Sequence, residues 1–111
     1  MLLRRVQAIP SLAPMTLHPQ IAALAGQMED LAAFLRGQGD RRWSGRVELC
    51  AHLVADSNFA GVERFLRLFD GEDGLDSLTL PSAAANGRFA ELRKVTRTLA
   101  ERLAREEGVA D

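Results

Sequence analysis

Three groups of side chains in this 111-residue chain could do chemistry: an acidic run, a cysteine–histidine pair and two sets of arginines. The acidic run is Asp70, Glu72, Asp73 and Asp76. Carboxylates spaced this way suggest a calcium loop, which needs oxygen ligands at positions 1, 3 and 5, glycine at 6 and glutamate at 12. Counted from Asp70, position 5 is Gly74, position 6 is Leu75 and position 12 is Pro81, so the pattern fails. The run reads instead as a solvated turn or as an acidic interaction surface.

Cys50 and His52 sit two apart on a predicted helix and point about 200° away from each other around its axis. They cannot share a metal ion or act as nucleophile and base within that helix. The other histidine, His18, stands at a helix start, so no set reaches the three or four ligands that zinc takes. Cys50 reads as a small buried apolar residue, and His52 as a partly exposed residue near Glu48. No glycine-rich phosphate loop follows a strand, and no serine sits at a nucleophile elbow. No catalytic, cofactor-binding or metal-ligating residue is assigned, and no cofactor is expected.

The arginines form two clusters, Arg41, Arg42 and Arg46, then Arg64 and Arg67, on successive helices joined by Asp56-Ser57-Asn58. This spacing resembles that of a helix-turn-helix, whose recognition helix needs polar residues at its N-terminal end. Phe59-Ala60-Gly61-Val62 is poor for that purpose. The arginines could contact phosphate, or they could be solvated groups whose stems cover apolar surface. Arginine is also abundant for another reason. The chain has 13 Arg and one Lys beside 17 Ala and 17 Leu, a bias that fits a GC-rich bacterial genome. Ala, Leu and Arg are all good helix formers.

The formal net charge is −1, so no whole-domain attraction to nucleic acid or an anionic membrane is expected. One cysteine allows no disulfide within the chain, and nothing requires an oxidising compartment. No apolar run approaches the roughly 18 residues that span a bilayer. Met1-Leu2-Leu3-Arg4-Arg5 mimics the start of a signal peptide, but Gln7, Pro10, Ser11 and Pro14 interrupt the apolar stretch that export requires. A cytoplasmic protein without membrane association is expected.

These residues must be held by helices. Residues 1–17 are apolar but broken by two prolines. They read as an arm lying over the domain or over a second copy, or, if Met15 is the natural start, as an upstream extension. A first helix is predicted from Pro19 to Arg36, with Ile21, Leu24, Ala25, Met28, Leu31, Ala32 and Leu35 as its apolar stripe, closed by Gly37 and Gly39. A second runs from Arg41 to Ala55, capped by Asp40. Trp43, Val47, Cys50 and Val54 form its face, widened by Leu49 and Leu53. A third runs from Phe59 to Phe69 on Phe59, Val62, Phe65, Leu66 and Phe69.

Residues 70–88 are irregular, with a short extended piece around Leu78 and Leu80, and with leucines that tuck part of the loop onto the core. A fourth helix is predicted from Arg88 to Glu107, with Asn86 as cap and Phe89, Leu92, Val95, Leu99 and Leu103 as seam. Glu101 is placed to pair with Arg105, and Gly108 closes the helix. The expected fold is all-α: a compact bundle-like domain of about four helices over residues 18–111, with a long ordered loop between the third and fourth.

From Trp43 to Asn86 the chain resembles a small bacterial all-helical domain family of unknown function. The resemblance rests on Trp43, Asp56 and Gly61, Phe65-Leu66 and Phe69, Gly71, Leu78 and Leu80, and Asn86. In that family the turn after the second Phe is glycine-rich and an Asp precedes the Leu-x-Leu. Here the turn is Asp70-Gly71-Glu72-Asp73-Gly74, and Ser77 takes the Asp place. The resemblance implies a compact helical domain whose loop after the third helix is a specified feature, and it implies no catalytic residue.

Size, near-neutral charge and the lack of site chemistry point to a non-catalytic protein-interaction module, regulatory or immunity-like, working with a protein partner or by self-association. Its candidate surface is Leu2, Leu3, Val6 and Ile9 on the arm, with Asp70, Glu72, Asp73 and Asp76. The alternatives are nucleic-acid binding through Arg41, Arg42, Arg46, Arg64 and Arg67, and a divalent-cation-dependent enzyme using the acidic loop.

Overall fold

The computed structural model describes residues 18–110, with side chains as far as Glu106. The arm residues Leu2, Leu3, Val6 and Ile9 lie outside the described residues. The fold is all-α: α1 (Pro19–Gly37), α2 (Arg41–Ala55), α3 (Ala60–Arg67) and α4 (Ala83–Ala110), with one 3₁₀ turn, Leu75–Ser77, in the loop between α3 and α4. Among the described residues there is no strand. α1 packs on both α2 and α4, and α3 completes the circuit by packing on the same two helices.

The two ends of α1 follow from its sequence. Pro19 opens the helix, and the His18 ring nitrogen Nδ1 accepts from the Gln20 N–H at 3.1 Å. At the other end Gly39 takes a φ of +88°. The Gly39 N–H then donates to the Arg36 carbonyl and the Asp40 N–H to the Leu35 carbonyl, each at 3.0 Å. This double closure satisfies carbonyls that the helix end leaves free. Asp40 at once caps α2, its Oδ1 accepting from the Trp43 N–H at 2.8 Å. Of the expected stripe, Leu24, Ala25, Met28, Leu31, Ala32 and Leu35 are buried, against Trp43, Val47, Cys50, Ala51 and Val54 of α2, while Ile21 is half-buried at its edge.

α2 ends in the same kind of closure, but with Ser57 in the left-handed region at φ 59°. Ser57 donates to the Val54 carbonyl and Asn58 to the Leu53 carbonyl. The Asn58 side chain then accepts from the Ala60 N–H and starts α3. α3 crosses α2 at Gly61, where a β-carbon would sit 2.8 Å from both the Cys50 carbonyl oxygen and Leu53 Cβ. Only glycine permits so close a crossing.

The expected third helix reached Phe69, but regular α-helix stops at Arg67. Beyond it the N–H groups of Leu68, Phe69 and Asp70 bond three residues back, so the chain tightens out of α geometry. Phe65 and Phe69 still pack edge to face, with centroids 5.4 Å apart.

Leu78 has extended backbone, with φ −66° and ψ 128°, but no strand forms there. Leu75 is wholly buried and its N–H donates to the Leu68 carbonyl at 2.6 Å, while Leu80 is also buried. The core therefore takes the leucines, as their apolar character suggests.

The fourth helix begins five residues earlier than expected. Its cap is Ser82, whose Oγ accepts from the Ala85 N–H at 3.0 Å, and Asn86 lies inside the helix. Asn-Gly reads as a turn signal, yet the Asn86 amide finds partners outside the helix ladder. It accepts from the Leu80 N–H at 2.7 Å and donates to the Leu80 and Ser82 carbonyls at 2.9 Å. Neither Gly87 nor Gly108 breaks α4.

Two leucine-seam expectations fail. Val95 is 46% exposed and Leu49 is 47% exposed. On α4 the buried row steps by fours through Leu92, Thr96 and Ala100. Thr96 tolerates burial because its hydroxyl donates to the Leu92 carbonyl at 2.7 Å. Glu101 pairs backwards with Arg97 at 3.2 Å.

Candidate interaction site

The acidic residues are divided by the fold. Asp70, Glu72 and Asp73 are exposed on the turn. Asp76, on the 3₁₀ turn, faces α4, where it meets Arg93 Nε at 3.0 Å and Arg97 Nη1 at 3.2 Å. Those two guanidiniums also lie over the rings of Phe89 and Phe69, at 4.6 and 4.5 Å from the centroids. Asp76 therefore clasps the loop to α4 and is occupied within the chain. Among the described residues no three His, Cys, Asp or Glu side chains are placed to hold a metal ion.

Cys50 and His52 are not brought together: Cys50 is buried and His52 is exposed. Glu48, expected near His52, pairs with Arg36 of α1 at 2.6 Å. Burial pushes the Cys50 thiol up to about 11, against a smaller downward pull from Arg64. The group is a protonated thiol at neutral pH and a poor nucleophile.

The arginines behave differently. Arg46 of α2 and Arg64 and Arg67 of α3 line one open groove of about 440 Å³, with Leu49, Cys50 and Leu68 as its apolar lining. Arg42 and Arg46 lie over the Trp43 ring at 5.4 and 5.1 Å from its centroid, which continues the positive strip along α2. Arg41, the first residue of α2, is exposed and stands outside this lining. The groove thus joins Arg46 of the first cluster to Arg64 and Arg67, while Arg42 stands beside Arg46 over the Trp43 ring. None of the five pairs with a carboxylate among the described residues, whereas Arg36, Arg88, Arg93 and Arg97 do.

Comparisons with protein-family models, curated proteins and solved structures give no match. Trp43 and Phe65 fill the core, Asp56 ends α2, Gly61 sets the α2–α3 crossing, Gly71 turns with φ +80° and Asn86 holds the loop.

Leu49 and Leu68 were missed as site residues. A signal for Leu49 existed: it lies two residues from Val47, about 200° around α2 from the buried seam. Chemically the groove offers fixed positive charge and apolar contact. Its ionisable groups are three guanidiniums and one thiol that burial holds in its protonated form. A smaller concavity of about 140 Å³, lined by Ile21, Val54, Ser57, Asn58, Phe59, Val62 and Leu103, carries no charge. Among the described residues no helix is long and apolar enough to cross a membrane.

Proposed function

We propose that the chain is a non-catalytic protein-interaction module that works through its α2–α3 face. One observation carries this reading: three arginines that pair with no carboxylate among the described residues surround an exposed leucine on a face built from two helices. Arginine is enriched at interfaces, and the buried centre of an interface is more apolar than the surface around it. The acidic turn Asp70, Glu72 and Asp73 remains a candidate second surface.

Nucleic-acid binding through the same arginines is the competing reading, and two observations disfavour it. The first turn of α3 presents half-buried Ala60, buried Gly61 and Val62 and the carboxylate of Glu63, which leaves little to reach base edges. The chain as a whole carries no positive excess. The test is affinity capture from host lysate with the full chain and with an R46E/R64E/R67E variant, each with and without nuclease. A protein retained by the wild type in both arms and lost by the variant supports the reading. Equal capture by both proteins, or capture that nuclease abolishes, refutes it.

A further inference from the structure

We infer that the occupant of the α2–α3 groove is an acidic segment of another protein that carries an apolar anchor, with its carboxylates on Arg46, Arg64 and Arg67 and its anchor over Leu49 and Leu68. The inference rests on the interaction reading above and adds the partner's chemistry. Charge complementarity is the first argument. Three guanidiniums from two helices line one opening, and none of them pairs with a carboxylate among the described residues. Planar guanidinium forks match carboxylate geometry in pairs of hydrogen bonds.

The apolar lining is the second. Leu49 is 47% exposed between these charges, and Leu68 is half-buried beside it. A phosphate backbone would satisfy the arginines and leave both leucines uncovered, whereas a segment mixing carboxylates with an aliphatic or aromatic residue covers both kinds of surface.

A second copy of the chain is a poorer occupant. Its acidic turn, Asp70-Gly71-Glu72-Asp73, supplies carboxylates, but of the two leucines flanking it Leu75 is wholly buried and Leu68 lines the groove itself, so neither is free to serve as anchor.

The test is a titration of the full chain with labelled probes at about 50 and about 200 mM salt. The probes are a helical peptide with glutamates and leucines at three- and four-residue spacing, its glutamine-for-glutamate counterpart, and a DNA duplex of similar length. The acidic peptide should bind, and the glutamine peptide should bind roughly tenfold or more weakly. R64E should weaken the acidic peptide about tenfold, and L49S by several-fold, at unchanged melting temperature. R102E, an exposed charge change on α4, should leave binding unchanged. Equal binding of the glutamine peptide, tighter binding of the duplex, no peptide binding at the lower salt, or equal loss in R102E would each overturn the inference. So would a dimer that R64E dissolves. If lysate capture depends on the groove while the acidic peptide fails, the interaction reading stands and the partner chemistry falls. If capture ignores the groove, both fall.

Discussion

Replacing Gly61 by alanine tests the crossing that builds the groove. The added β-carbon would lie 2.8 Å from the Cys50 carbonyl oxygen, 2.8 Å from Leu53 Cβ and 2.9 Å from Val54 Cγ2, whereas ordinary contact begins at 3.4 Å. Two of these neighbours are fixed to the α2 backbone, so no rotamer change relieves them. α3 must retreat by roughly half an ångström, which as overpacking costs about 1–3 kcal/mol, towards the upper end here. Alanine returns about 1 kcal/mol in helix propensity. The net expectation is destabilisation of about 1–2 kcal/mol, or a fall of roughly 4–8 °C in melting temperature for a domain this size.

Gly45 of α2 is the internal control. A β-carbon there meets nothing within 4 Å, so Gly45→Ala should gain up to about 1 kcal/mol. Urea and thermal unfolding of the two variants should therefore move in opposite directions. A Gly61→Ala protein as stable as wild type would show that α3 does not sit so close to α2, and the placement of Arg64 and Arg67 beside Arg46 would lose its basis.

Asn86→Ala removes three hydrogen bonds between α4 and the segment around Leu80. At about 1 kcal/mol each, urea unfolding should show a loss of about 2–3 kcal/mol, and a loss under about 0.5 kcal/mol would contradict the clasp. Ser57→Gly places glycine where φ is 59°, and the relief of left-handed strain should raise stability by about 1 kcal/mol in the same assay. Cys50 sets a pH dependence. Its thiol is raised from the ordinary value of 9.0 to about 11, so above pH 9 the unfolded chain loses its proton before the folded one. Stability from this group is complete below about 9 and falls as pH rises, by roughly 2–3 kcal/mol once pH reaches about 11. Cys50→Ala should flatten that part of the unfolding-versus-pH curve, and an unchanged slope would refute it.

The first half of the fold was legible because local and long-range signals agree there. Gly39 and Asp40 are a stop and a start in sequence, and the structure uses both in those roles. The stripe of α1 buries from Leu24 to Leu35, with Ile21 half-buried. The start of α4 was not legible, because Asn86-Gly87 carries a strong turn signal and the partners that override it lie on Leu80 and Ser82, a tertiary fact. Val95 failed for a related reason: an isolated valine at helical spacing fits the seam, but the real contact row runs through Thr96, whose hydroxyl hides its polarity in the helix.

The site was legible as a set of residue types and not as an arrangement. All five arginines could be named, yet their grouping across two helices depends on the Gly61 crossing. Asp76 looked like its acidic neighbours until Arg93 and Arg97 came to face it.

The most direct measurement uses two positions of matched exposure, Leu49 in the groove at 47% and Val95 on α4 at 46%. A photo-cross-linking residue placed at each, in the full chain expressed in its host, reports what touches each face. Position 49 should give a discrete protein adduct that position 95 does not, and R64E should abolish it. An adduct formed equally from both positions, or from position 95 alone, would contradict the assignment of the α2–α3 face as the interaction surface.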